Sequence, residues 1–547
     1  MKKIFLFGLM AIALSSCSDS FIEEENLGNA DAETFYKTAS GYNSLVNANY
    51  AILRKLYGQD AYVFCAGTDL YAVGSGRGTE PEGLSRYSQL NPSSDGGIEE
   101  LYEYSYEAIQ KANMAIHYSA VTEQTPNLQQ LVGEVKYLRA NAYFVLVQSF
   151  GGVSIINDFF TSPVLSFDRN TAEEVYDVII TDLEESLASV GTGSYNGRVN
   201  KRAVQHLLAK VYLTKAYESF GSAADFTTAA AYAEDAIGGQ GLTIPFATLW
   251  TPGNEMNAET IFSVQYSPGS VSFDPTRLGN KQANWYSSYL GGPEVSGKAG
   301  WRSYTLLPTQ FALSLYTQED QRWKATFMTE AFNRYYDFFD IPAAQHNTLA
   351  VKHYYVPQWE TSAQTAAYVA AHPGVVIHAW GTYGAGVVSA DYQTIPTKKF
   401  DDPKAAFITG GGGGPRFGGP STRDVVLSRL SETYLIAAEA YLNSNPGLGL
   451  QRLNAVRARA GITTPLGSYN IDTVLDERAR ELFGEYHRWF DLKRTGKLIE
   501  RASAHNYLID EANFNGANGE LKILRPIPQK AIDLNQNRNF PQNPAYN

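Results

Sequence analysis

The sequence predicts a mainly α-helical protein with a loop-rich middle, on three observations. Apolar residues recur at three- and four-residue spacing through the first 240 residues. The same spacing returns after residue 420. Between the two it fades, while Gly, Pro, Ser and aromatic residues rise.

Taken in order, the chain opens with MKKIFLFGLMAIALSSCSDS. Lys2 and Lys3 precede an apolar run from Ile4 to Leu14, which is eleven residues. That is short of the roughly 20 needed to span a bilayer, and it suits a secretory signal. The run ends at Leu14-Ser15-Ser16-Cys17. This resembles the lipobox of bacterial lipoproteins, so residues 1–16 are expected to be removed and Cys17 to be lipidated. Loss of Lys2 and Lys3 takes the formal charge from −12 to −14. Residues 17–30 are polar and acidic and read as a tether. With Cys17 acylated only Cys65 remains, so the mature chain has no internal disulfide to form. No later apolar run reaches 18 residues, so the body is expected to be held on a membrane by lipid.

Residues 31–547 read as one domain with three parts. The first, 31–240, is a helical scaffold with helices at 34–57, 99–118, 128–150, 171–190, 200–219 and 226–238. Asn170 or Thr171 caps the fourth. Small residues alternate with large ones in Ala203, Leu207, Leu208, Ala209, Tyr212 and Leu213, which lets antiparallel helices approach closely, as in tetratricopeptide-like pairs. The second part, 241–420, is irregular, with one strand at 260–266 and a flexible Gly410–Gly414 stretch before Pro415. A region this long without regular structure is expected to build a surface or a site. The third, 421–547, returns to helix at 424–443 and 472–495 and ends in a Pro-rich extended tail.

Composition removes several classes. The chain has 44 basic and 56 acidic residues and no basic stripe, so nucleic acid is a poor partner. Gly292-Pro-Glu-Val-Ser-Gly-Lys298-Ala299 lacks the Ser or Thr that a phosphate loop uses to hold magnesium. The eight His residues form no HExxH or Cys/His cluster, and His372 and His378 fall in an expected solvated loop. No cofactor is indicated. Asp95, Glu99 and Glu100 leave a structural calcium site open, without diagnostic spacing.

Several stretches together resemble the SusD/RagB family of Bacteroidetes nutrient-binding lipoproteins. They include Gly133–Phe144 running to Phe150-Gly-Gly-Val153, and Gly197–Ala203 leading into Leu208–Leu213. The C-terminal set is stronger: Arg429–Ala440, Leu453–Gly461, Glu477–Leu482, His487–Leu492, Lys493–Gly496, Pro526-Ile-Pro528 and Gln542-Asn543-Pro544-Ala-Tyr546. Ala545 departs from the Gly usual there. The resemblance implies a SusD-like fold with four tetratricopeptide-like helix pairs and an irregular ligand-binding half. It implies an outer-membrane, cell-surface protein that binds a nutrient, usually an oligosaccharide. Its partner would be a SusC-like TonB-dependent transporter, over which it sits as a lid, and it implies no catalysis.

Two constellations carry competing chemistry. Glu477, Glu481 and Glu485 share a helical spacing, and paired carboxylates are what glycosidases use. Arg457, Arg459, Arg478 and Arg488 lie nearby, so salt bridges are the favoured reading. Loop aromatics are the better candidates for a sugar, whose C–H face wants a flat ring beside planar polar groups. Two stretches fit: Asp69 and Tyr71 through Arg77 and Tyr87, and Trp285, Tyr286 and Tyr289 followed by Trp301, Arg302 and Tyr304. Asp69 and Arg77 are expected either to grip hydroxyls or to pair with each other. The aromatics either stack on ligand or fill core. A peptide-binding relative, a surface glycoside hydrolase using Glu477 and Glu481, and a helical adaptor that binds only protein remain alternative readings.

Overall fold

In the computed structural model the described residues are 32–75, 81–94, 96–270, 279–287, 303–333, 337–390, 392–402 and 421–547. Cys17 and the other residues of the signal and tether, as well as Arg77, Asp95, Tyr289, Trp301, Arg302 and the 410–415 stretch, lie outside them.

Helices of seven residues or more are numbered here. They are α1 (Ala39–Ala51), α2 (Ile98–Ser119), α3 (Leu128–Phe150), α4 (Ala172–Ser189), α5 (Lys201–Lys215) and α6 (Ala223–Ile237). They continue with α7 (Ser362–Ala371), α8 (Leu430–Ala440), α9 (Pro446–Arg459), α10 (Ile471–Glu481), α11 (Arg488–Arg494) and α12 (Leu498–His505). Several starts have a local cause. Thr171 caps α4 and Glu174 reciprocates, and the Asn200 carboxamide accepts the Ala203 amide at 3.0 Å to start α5.

Four pairs stack in sequence: α1 on α2, α3 on α4, α5 on α6, and α8 on α9. The last pair joins the stack through α6. Ala209, Ala229, Ala230 and Ala233 are buried against Ala437 and Ala438 there, so small residues do set the close approach.

Some expected boundaries move. The 34–57 helix is broken, because Thr38 starts a fresh helix with its Oγ1 accepting the Gly41 amide at 3.0 Å. Residues 425–429 are a strand rather than a helix start. The strands are β1 (Tyr71–Ala72), β2 (Thr260–Val264), β3 (Leu307–Pro308), β4 (Glu330–Phe332), β5 (Val351–Tyr355), β6 (Val376–His378) and β7 (Val425–Arg429). β7 pairs antiparallel with β2, which favours the β-branched Val425 and Val426 over helix. The 472–495 helix stops at Glu481, since Gly484 (φ 78°) and Tyr486 (φ 63°) turn left-handed. Glu485 therefore lies in a turn, beyond the helix that carries Glu477 and Glu481. The tail is not wholly extended, as residues 529–534 form a short helix.

The motifs of the resemblance do structural work. Arg139 holds Asp182 bidentately at 2.7 Å, tying α3 to α4. Asn543 donates to the Phe150 carbonyl at 3.0 Å, and Gln542 bonds both the amide and the carbonyl of Ile527 at 2.8 Å. The C-terminus is thus clasped to the end of α3.

Candidate functional site

Four of the six candidate ligand residues fall inside the protein. Asp69 is completely buried and accepts from Arg488 Nε at 2.8 Å, with a second bond to the same guanidinium. Arg488 is thus a partner of Asp69, while Arg77 lies outside the described residues. Tyr71 accepts the Gly484 amide and packs on Phe483. The Tyr286 hydroxyl donates to the Gly484 carbonyl at 3.1 Å, 3.5 Å from Cys65 Sγ. Trp285 is 7% exposed, donates to the Gln59 carbonyl at 3.0 Å and stands edge-on to Tyr62. These four are core residues, because each polar tip already has a protein partner. Tyr87 is likewise buried, bonded to the Gly67 carbonyl at 2.8 Å. The pairing of β1 with β3 does bring the flanks of the two candidate stretches together, with Tyr71 opposite Pro308.

The glutamate row is equally closed. Arg322 reaches Glu477 at 2.6 Å and Glu481 at 2.9 Å, and Arg429 reaches Glu485 at 2.7 Å. All three carboxylates are buried. Burial alone would raise the carboxyl of Glu477, but Arg322 and Arg480 hold it at about 2. Glu481 and Glu485 are also held low against burial, by Arg459, Arg429 and Arg322 and by Arg429 and Lys399. Carboxylates so fixed in the ionised form have no proton to give a leaving group. His378, expected in a loop, lies on β6 and shares a 3.0 Å bond with His353. Burial lowers both imidazoles to about 4. Glu99 is taken by Lys530 at 2.7 Å, and no group of three or more potential metal ligands gathers among the described residues.

An open groove lies elsewhere, in the loop-rich part, around a three-stranded sheet. β4 runs antiparallel to β5, and β6 parallel to it. Glu330 on β4 is directly opposite Tyr354 on β5, so the two side chains share a face. α7 lies beside this face, started by a capping box in which Thr361 Oγ1 accepts the Gln364 amide and Gln364 Oε1 accepts the Thr361 amide at 2.9 Å. The cap fixes Tyr368, which stacks on Tyr354 (centroids 3.9 Å apart, 15° between planes) and on His372 (4.0 Å, 22°).

Two adjoining hollows result, of about 340 and 580 Å³, with Glu330, Phe332 and His346 common to both. Trp359, half-buried and edge-on to Trp323 at 5.3 Å, lines the first together with Tyr354, Phe338, Glu360 and Lys398. The Tyr368 hydroxyl donates to Glu330 Oε1 at 2.6 Å. Glu360 accepts from the Tyr354 hydroxyl and from Thr365 Oγ1, the latter at 2.8 Å. Burial, then the adjacent carboxylates, raise both phenols, so they stay protonated donors. Flat rings beside oriented carboxylates, in a groove of ligand size, can bind a molecule with one apolar face and a polar rim. These residues lie within the stretch the sequence marks as site-building. Individually, only the density of aromatic residues from Phe327 to Trp359 marks part of them, and Tyr368, His372 and Lys398 carry no such signal.

A stack of helix pairs bearing an aromatic groove in an irregular half defines a class of binding protein. The chain belongs to the SusD family, whose model matches residues 258–546. A second family model, described as starch-binding associating with outer membrane, matches residues 21–213. Among relatives, a SusD-like protein of Bacteroides ovatus is 25% identical over 515 residues, covering 90% of this chain and 82% of its own. The starch-binding protein SusD of Bacteroides thetaiotaomicron is 32% identical over 124 residues, 22% of each chain. Among solved structures, a laminarin-binding SusD-like protein superposes with a TM-score of 0.68 at 22% identity, over 93% of this chain and 100% of the other. A SusD homologue from Bacteroides thetaiotaomicron reaches 0.71 at 20% identity, over 96% and 100%. These structures share the fold. No described helix is long and apolar enough to cross a membrane.

Proposed function

We propose that this protein binds an oligosaccharide at the outside of the outer membrane and passes it to a SusC-like TonB-dependent transporter, without cutting it. The observation that carries the reading is the groove lined by the half-buried rings of Trp359 and Phe338, with Glu330 and Glu360 at its edge and the Tyr354–Tyr368–His372 stack holding its wall. Sugar C–H faces stack on such rings, and hydroxyls bond to such carboxylates. The relative whose solved structure holds laminarihexaose supports glycan as the ligand class. The lipobox at Cys17 supports lipid anchoring. Arg77 and Trp301 remain proposed contacts, on the sequence reading alone. Burial and ion pairing of Glu477 and Glu481, whose carboxyls are held low by arginines, support capture over catalysis.

Calorimetry tests this on the full chain in detergent, with a panel of oligosaccharides and peptides and chromatography of the products. The expected result is saturable binding of a glycan, no shorter products, and weaker binding by Trp359→Ala. Binding of peptides alone overturns the glycan assignment, and shortened products overturn the non-catalytic one. Co-purification of the tagged chain with a large outer-membrane barrel is the expected result for the transporter. Recovery of the chain by itself overturns that partner.

A further inference from the structure

Lys398 and Lys399 are neighbours in sequence with opposite surroundings. The Lys399 ammonium bonds the Phe483 carbonyl at 2.8 Å and meets Glu485 at 2.5 Å. The Lys398 ammonium faces the groove and sits 4.0 Å from the centre of the Phe338 ring. No carboxylate or hydrogen-bond acceptor of the described residues meets it. The ring provides part of what a cation needs, but the three N–H donors have no acceptor. Lys398 is half-buried in the wall of the groove and has no ion-pair partner among the described residues, so its ammonium is open to an anion that enters.

Two neighbouring carboxylates already accept hydrogen bonds within the protein. Glu330 accepts the Tyr368 phenol, and Glu360 accepts Tyr354 and Thr365. Asp401 and Glu330 act on Lys398 at longer range, and Lys324, exposed on the same groove, opposes its charge. His346 lines the groove with its Nε2 against the Ile341 carbonyl at 3.0 Å. The short helix that carries Phe338 adds Asp337 and Asp340. The groove therefore offers two ammonium groups, of which Lys398 has only an aromatic face against it among the described residues, beside carboxylates that already accept hydrogen bonds.

We infer that the groove takes an acidic saccharide, one bearing a carboxylate or a sulfate ester, and that Lys398 pairs with that anionic group. This rests on the reading of the groove as a glycan site. The pair is a charge-assisted bond, so it discriminates between acidic and neutral sugars. Burial lowers the Lys398 ammonium to about 8 in the free protein, so a ligand anion restores its proton. Binding at pH 8 is then accompanied by uptake of up to about half a proton.

Three probes of equal length distinguish the possibilities: an oligogalacturonide, a sulfated oligogalactan and a neutral laminari-oligosaccharide. Each is titrated calorimetrically into the full chain and into Lys398→Gln and Lys398→Arg, at pH 8 in buffers of different ionisation heat. One acidic probe is expected to bind at least about 10-fold more tightly than the neutral one. Which acidic probe wins decides between carboxylate and sulfate. The preference should vanish in Lys398→Gln, persist in Lys398→Arg, and be accompanied by proton uptake in the wild type alone. Gln removes an uncompensated charge, so its unfolding temperature should match or exceed the wild type and exclude misfolding. Equal or tighter binding of the neutral probe, unchanged by Lys398→Gln, overturns the inference and leaves the glycan site standing. Glycan binding indifferent to Trp359→Ala, or absent for every probe, overturns the groove reading itself.

Discussion

The ion network beneath α10 and the groove beside α7 are built from the same residue types and put them to opposite ends. In the network, Glu477, Glu481 and Glu485 meet Arg322, Arg429, Arg459 and Lys399, all buried. Every carboxylate there has a guanidinium or an ammonium. In the groove, Trp359 and Phe338 are half-buried, carboxylates hold phenols, and one ammonium has only an aromatic face among the described residues. The contrast teaches how to separate scaffold from site in this fold. A charge answered by the protein itself is architecture, and a charge left for something else to answer is function.

The largest way to break the contrast is Arg429→Met, which strips Glu481 and Glu485 of a shared partner. Leaving buried carboxylates unpaired costs about 3–5 kcal/mol. Chemical denaturation should show a loss of that size. Acid attacks the same network. The three glutamates have folded pKa values below their unfolded value of about 4.3. Their stabilisation is complete above that value and fades as pH falls through about 2, where Glu477 titrates. Circular dichroism should therefore be native at pH 5 and begin to fail between about 4 and 2.

Two tryptophans sharpen the comparison further. Trp285→Ala empties a core position and should cost about 3–5 kcal/mol of stability. In purified, still-folded protein it should leave glycan affinity within about threefold. Trp359→Ala should do the reverse, lowering affinity by roughly 30-fold, near 2 kcal/mol, with a smaller change in unfolding. The smallest effect is reserved for Thr361→Ala. Loss of the cap should destabilise α7 by about 1 kcal/mol and weaken binding only through Tyr368.

Much of the fold was legible because the recognisable motifs are structural. Arg139, Arg429, Gln542 and Asn543 each make bonds that the helix stack needs. Helix positions followed from apolar spacing, and the Thr171 cap from its residue type. The misreadings have local causes. Two left-handed residues cut 472–495, and a distant partner strand turned 425–429 into β. The site was legible only as a region. Trp285 and Tyr286 look like ligand platforms in a stretch without periodicity, yet Gln59 and Gly484, far away in sequence, take up their polar tips. Trp359 has no such distant partner for its ring nitrogen among the hydrogen bonds of the described residues. A sequence does not reveal which of two similar tryptophans will find one.

The pairing of β2 with β7, and of α8 and α9 with the stack begun by α1 to α6, has a consequence for how the molecule is made. The first three helix pairs are complete by residue 237, but the fourth begins only at residue 430. Between them the whole groove-bearing half must be held as a loop before its two ends meet. Closing so long a loop is entropically expensive and slow. The stack cannot finish while the last quarter of the chain is still in the ribosome. Completion of the stack therefore waits until residues up to 459 have been made, so it falls late in synthesis whatever the first three pairs do before then.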